Sequence, residues 1–185
     1  MLNIRKYEET DFENVEYVCL HCDDDEDDAE TQEFVLHFFC DYYLEQEPQN
    51  CFVLDDGGRA VGYVLCAADF DAFKPVFFGQ YVPLCKNLGE YRMNWAMGSI
   101  ALQEEFKDEY PAHLHIDLLP PYQRQGWGGR LLRTLFDHLR ESGCPGVMLT
   151  TGVDNTNATA FYEKHGLKKL GERNYEVAYG MKLES

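Results

Sequence analysis

The segment Gln123-Arg124-Gln125-Gly126-Trp127-Gly128-Gly129-Arg130 constrains the fold more than any other part of the chain. It follows an alternating apolar run, His113–Leu118, which Pro120-Pro121 closes. It precedes a stripe of Leu131, Leu132, Leu135, Phe136 and Leu139. That order predicts a strand, a tight glycine turn and an amphipathic helix reaching about Ser142, with Gly143 as its C-cap. Glycines let a backbone turn sharply and bring its N–H groups close to a ligand. At a helix N-terminus those groups lack carbonyl partners and carry the positive end of the helix dipole, so an anion such as phosphate is the natural guest. Arg124 and Arg130 add positive charge. No Gly-Lys-Ser/Thr follows, and no strand runs directly into the glycines, so neither a Walker loop nor a dinucleotide fingerprint is expected.

The rest of the chain reads as alternating strands and helices. Leu2–Tyr7 alternates like a first strand, and Thr10 can cap a helix carrying Phe12, Val15, Val18 and Cys19. Residues 30–45 predict one aromatic-rich helix. Cys51–Leu54 and Ala60–Cys66 flank the turn Asp55-Asp56-Gly57-Gly58 as a hairpin. Residues 69–110, with Pro75 and Pro83 and no long period, predict short helices and a better one near Ser99–Asp108. Val147–Thr150 is a further strand, Asn155–His165 a helix stopped by Gly166, and Leu167–Glu172 with Tyr175–Leu183 a closing hairpin. With 185 residues, this predicts a single α/β or α+β domain.

Charge narrows the partners. Thirty-three acidic against 16 basic residues leave a net charge of −17, which disfavours nucleic acid and acidic membranes and suits a cationic substrate. No apolar run of spanning length exists, and no signal core follows Met1, so a soluble cytoplasmic protein is expected. Seven scattered cysteines do not form a disulfide framework.

Gln123-x-x-Gly126-x-Gly128 resembles the pyrophosphate motif of the GNAT acetyltransferases, Gln/Arg-x-x-Gly-x-Gly/Ala. At the expected distance, Asn155-Thr156-Asn157-Ala158-Thr159-Ala160-Phe161-Tyr162-Glu163-Lys164-His165-Gly166-Leu167 resembles that family's Asn-x-x-Ala-x-x-(aromatic or Leu)-Tyr-x-Lys-x-Gly-Phe segment. The resemblance covers residues 113–180 by motif and 1–67 by element order, and 69–110 lies where the family varies most. It implies one GNAT-type domain over residues 1–185, with a mixed sheet of six to seven strands flanked by helices and two splayed central strands. It also implies acetyl-CoA as cofactor and acetyl transfer to a primary amine. In that scheme Ile116 and Leu118 meet the pantetheine arm with their backbones. Amides from Gln125 through Gly126, Trp127, Gly128, Gly129 and Arg130 take the pyrophosphate beside Gln123 and Arg124, and Asn155 touches the cofactor or caps its helix.

Amide formation needs a neutral amine, stabilisation of developing negative charge and a proton for the departing thiolate. Tyr162 matches the family tyrosine near the cofactor sulfur, and an ordinary phenol stays protonated at neutral pH, as a general acid must. His113, His115 and Asp117 fall on one strand face, and each is a candidate base or orienting group. Ala112-His113-Leu114-His115 also resembles the histidine pair of arylalkylamine acetyltransferases, with one residue fewer before the turn. The acceptor stays open among small amines, polyamines, aminoglycosides, peptide N-termini and protein lysines.

Two other patterns are weaker. Cys19-x-x-Cys22 with His37-x-x-Cys40 has the residue types for zinc, but these positions read as helix faces and no metal is expected. The acidic run Asp23–Asp28 lacks the glycine and the final glutamate of a calcium loop and reads as a solvated loop or a cation-attracting rim. Tyr91, Asn94 and Trp95 are candidates for an acceptor wall. The run from His113 to Gly129 loosely resembles the acetyltransferase-like domain of O-GlcNAc hydrolases, so a catalytically silent binding module stands as the alternative.

Overall fold

The computed structural model describes residues 1–23, 28–85 and 89–183, and the side chains of Glu90, Tyr91 and Trp95 lie outside the description. Most of the acidic run and two of the three aromatic-wall candidates therefore fall outside it. The strands are β1 (Leu2–Lys6), β2 (Phe52–Asp56), β3 (Ala60–Ala67), β4 (Ala112–Leu118), β5 (Gly146–Gly152), β6 (Lys168–Arg173) and β7 (Glu176–Lys182). The helices are α1 (Phe12–His21), α2 (Ala29–Phe39), α3 (Asp41–Gln46), α4 (Phe70–Val76), α5 (Gly89–Phe106), α6 (Trp127–Glu141) and α7 (Thr156–Lys164). Among the described residues the strands form one sheet in the order β1-β2-β3-β4-β5-β7-β6. No described helix is long and apolar enough to cross a membrane.

The sheet is antiparallel except at its centre. β4 runs parallel to β5 and pairs with it only at Ala112↔Val147 and His113↔Met148. Beyond those pairs the strands separate, while β4 stays paired to β3 as far as Gly62↔Leu118 and β5 to β7 as far as Gly152↔Glu176. A gap thus opens in the middle of an otherwise continuous sheet, and the backbone groups facing it have no neighbouring strand.

β3 divides the core, alternating strictly from Tyr63 to Ala67. Tyr63, Leu65 and Ala67 face a cluster with Val15, Val18, Phe34, Tyr43, Phe73 and Phe77, under α1 to α4. Val61, Val64 and Cys66 face Leu131, Leu132, Leu135 and Leu139 of α6. Gly62 is required where β3 meets the end of β4, because a Cβ there would lie 2.9 Å from Leu118 Cγ.

Two expectations change. The helix predicted over 30–45 breaks at Cys40, whose φ of −127° and ψ of −62° leave the helical region. The break lets both Phe34 and Phe38 of α2 and Tyr42 and Tyr43 of α3 reach the same core. The helix predicted near Ser99–Asp108 starts ten residues earlier, at Gly89. Its packing face carries Gly98, Ser99 and Gln103 beside Ile100 and Leu102, so small and polar groups stand where a periodic stripe needs apolar ones. Ser99 is hydrogen-bonded to Thr150 of β5 at 2.5 Å.

Candidate active site

The gap between β4 and β5 continues into a groove of about 790 Å³ bounded by both strands, the glycine turn and α7. Of the sequence candidates, His115, Ile116, Asp117, Leu118, Gln123, Arg124, Gly126, Gly128, Gly129, Asn155 and Tyr162 line it. His113, Gln125, Trp127 and Arg130 do not. Trp127 and Arg130 stack on each other, with the guanidinium carbon 4.5 Å from the ring centroid, and Gln125 donates to the Pro121 carbonyl at 2.6 Å.

Local chemistry explains the turn. Gly126 is left-handed, with φ +84°, at the N-cap of α6, and no atom lies within 4 Å of where its Cβ would be. The first helical hydrogen bond runs from Arg130 N to Gly126 O at 3.3 Å. The amides of Trp127, Gly128 and Gly129 therefore have no carbonyl within the helix and stand free for an anion. Gly128 and Gly129 serve packing as well. A Cβ on Gly128 would lie 3.1 Å from Phe161 Cζ, and one on Gly129 would collide with the His165 ring. These glycines seat α7 against the first turn of α6. Gln123 faces away from that turn: its Nε2 donates to Cys22 O at 2.7 Å and Leu118 O at 2.8 Å, tying the end of α1 to the end of β4.

The three polar residues of β4 share a face, as alternation requires, but not a depth. His113 is 1% exposed, and neither ring nitrogen has a hydrogen-bond partner. Phe73, Tyr43 and Phe70 surround it edge-on, and burial pushes its pKa down to about 3. It is a neutral core ring. His115 is half-buried and reaches the groove, with Nε2 3.0 Å from the Tyr43 hydroxyl. Burial lowers its pKa to about 4, so it is neutral at pH 7. Asp117 accepts a hydrogen bond from Tyr63, its direct cross-strand neighbour, at 2.6 Å, and the Cys22 thiol also reaches it. Burial raises its pKa to about 6, with the Tyr63 and Cys22 hydrogen bonds opposing the rise.

Helix α7 supplies the opposite wall. Asn155 caps it by accepting from Ala158 N at 3.1 Å. Tyr162 is 9% exposed and makes no hydrogen bond among the described residues, and burial lifts its pKa well above the usual phenol value. The groove also includes Phe161 and Lys164, fixed positions of the second motif to which no role was given, and Thr150, Thr151, Asn157 and His165, which the motifs did not single out. Of the cysteine and histidine quartet, Cys22 turns to Asp117, His37 hydrogen-bonds Asp41 at 2.6 Å, and the free thiols of Cys19 and Cys40 share a hydrogen bond.

The core position of His113 carries a prediction. Its folded pKa lies below the ordinary 6.5, so its contribution to stability is complete above about pH 6.5 and declines as pH falls. His113→Phe removes two unpartnered buried nitrogens and is expected to add about 1–2 kcal/mol at pH 7. Part of the acid destabilisation below pH 6.5 should disappear with it. Chemical denaturation at pH 5 and pH 8 checks both effects.

Comparison with known proteins agrees with this geometry. The model of the acetyltransferase (GNAT) family matches residues 7–167. An uncharacterized N-acetyltransferase of Escherichia coli (strain K12), YjhQ, is 35% identical over 63 residues, 34% of this chain and 32% of that protein. The [ribosomal protein bS18]-alanine N-acetyltransferase of the same strain is 35% identical over 83 residues, 44% of this chain and 55% of that enzyme. The matches thus span a third to about half of these relatives' own length. A solved structure, SsHAT, superposes with a TM-score of 0.86 at 29% identity, covering 100% of this chain and 99% of that one. The two motifs, the splayed strands and a family match over residues 7–167 agree: the chain belongs to the acetyltransferase (GNAT) family.

Proposed function

We propose that this protein transfers an acetyl group from acetyl-CoA to a primary amine. The observation that carries this reading is the groove through the sheet, with partnerless amides and open space at Gly126 at one end and Asp117 and Tyr162 farther in. Acetyl-CoA supplies an acetyl group activated as a thioester. The residues present fit it. The amides of Trp127, Gly128 and Gly129 would hold the pyrophosphate, assisted by Arg124. Ile116 and Leu118 would meet the pantetheine arm along the open edge of β4, although the Leu118 carbonyl is already engaged by Gln123.

Asp117 is the only carboxylate lining the groove among the described residues. It would attract an ammonium group and take its proton on a carboxylate oxygen while Tyr63 holds the side chain in place. His115, neutral and hydrogen-bonded to Tyr43, would orient the acceptor. Tyr162 would deliver its hydroxyl proton to the leaving sulfur. The acceptor is a small amine or the amine of a basic peptide or protein. The alanine N-acetyltransferase relative acts on a ribosomal protein, which favours testing peptide N-termini alongside polyamines.

Calorimetric titration with acetyl-CoA, with CoA and ATP as controls, tests the reading. Micromolar binding of acetyl-CoA and CoA, with ATP much weaker, is the expected result. Folded protein that binds none of them would leave a catalytically silent module.

A further inference from the structure

Gln123 opens the glycine-turn motif, yet its side-chain amide is spent elsewhere. An amide nitrogen carries two hydrogens. Gln123 Nε2 donates one to Cys22 O at 2.7 Å and the other to Leu118 O at 2.8 Å. Both partners are carbonyls, which only accept, so the nitrogen and not Oε1 must face them. No hydrogen remains for a phosphate oxygen, and Oε1 is itself an acceptor. A pyrophosphate on the amides of α6 therefore gains nothing from this side chain.

The two carbonyls flank the surroundings of Asp117. Leu118 follows Asp117 at the end of β4, where the register is Tyr63↔Asp117 and Gly62↔Leu118. Cys22 is the C-cap of α1, where the last carbonyls have no partner within the helix and the backbone frays most easily. Gln123 pins that end, and from it the Cys22 thiol reaches Asp117. The other groups facing Asp117 are the Tyr63 hydroxyl, Asp23 and, across the groove, Tyr162. Burial disfavours the carboxylate and Asp23 repels it, while the Tyr63 and Cys22 donors favour it. Tyr63 is fixed by strand pairing, whereas the place of Cys22 depends on how the end of α1 is held.

We infer that Gln123 is a positioning residue for Asp117, acting through Cys22, and not a ligand of the cofactor. Its kinetic consequence rests on the reading of Asp117 as the base, and its effect on the carboxyl itself does not.

NMR titration of the Asp117 carboxyl carbon, assigned with Asp117→Asn, and the pH profile of kcat/KM test this together. The variants are Gln123→Met, Cys22→Ala, Cys22→Ser and the double Gln123→Met/Cys22→Ala. Methionine keeps the length of glutamine and donates nothing. Gln123→Met and Cys22→Ala should each raise the Asp117 pKa by about 0.5 to 1, the effect of one lost donor, and carry the acid limb of kcat/KM to higher pH with it. The double variant should match Cys22→Ala, since both changes remove one hydrogen bond. Cys22→Ser keeps a donor and should leave the carboxyl at or below its wild-type pKa. CoA affinity of Gln123→Met should stay within about threefold of wild type, because backbone amides hold the phosphates. A carboxyl that titrates as in wild type in Gln123→Met overturns the inference, even if that variant melts at a lower temperature, since the clasp is then merely structural. A loss of CoA affinity of about tenfold or more in Gln123→Met also overturns it. If the carboxyl shifts and the kinetic limb does not, the positioning role stands and the base lies elsewhere.

Discussion

Tyr162→Phe is expected to lower kcat by about 10²-fold or more while acetyl-CoA affinity changes by less than about twofold. The hydroxyl sits on a side chain that is 9% exposed, lines the groove and makes no hydrogen bond among the described residues. It holds nothing in the folded protein together, so its loss should cost little stability, and melting temperature is the control. Burial raises the phenol pKa, which keeps the proton in place across the neutral range, so the departing thiolate meets a protonated donor. Two consequences separate this role from packing. The variant should recover activity when the acyl donor has a leaving group of low pKa, because such a group needs no proton. Tyr162 should also contribute no alkaline limb below pH 9. Wild-type turnover in the variant would assign the proton to water.

The glycine turn, its helix and the Asn155–Gly166 segment were legible because their signals are local: turn glycines, a 3.6-residue period and a cap. Asn155 caps α7, and Gly126 takes the left-handed turn. What depends on register was not legible. His165 looks like ordinary helix surface, and Phe161 is a motif position without a role, until α7 is seated on Gly128 and Gly129. The pairing of Tyr63 with Asp117 joins residues 54 positions apart and follows only from the alignment of β3 with β4. Alternation placed His113, His115 and Asp117 on one face correctly, but a period of two carries no information about depth. The strand leaves the core as it leaves β5, so His113 is sealed under Phe73 and Asp117 meets the groove. The start of α5 was hidden for a related reason, since its packing surface includes Gly98, Ser99 and Gln103.

The emergence of β4 from the core is also why Asp117→Asn should move activity and stability in opposite directions. In the folded protein the Asp117 carboxyl titrates near pH 6, above the ordinary carboxylate range, because burial disfavours the charge. Folding therefore favours the protonated form. This residue's cost to stability is absent below about pH 4, grows between about pH 4 and pH 6, and is constant above. Asparagine keeps an oxygen for the Tyr63 hydroxyl and carries no charge, so the variant should be more stable than wild type at pH 8, by on the order of 1 kcal/mol, and equal to it near pH 4. Turnover should behave differently. If the carboxylate takes the proton of the acceptor amine, kcat/KM in the wild type falls as pH drops through about 6. Asp117→Asn should then lower kcat/KM by about 10²- to 10³-fold and abolish that limb. A purely structural carboxylate would give no such pairing, since its loss would not combine higher stability with a missing ionisation. An acid limb that persists in Asp117→Asn and disappears in His115→Ala would transfer the base role to His115. Its own pKa near 4 then requires the limb to lie below pH 5.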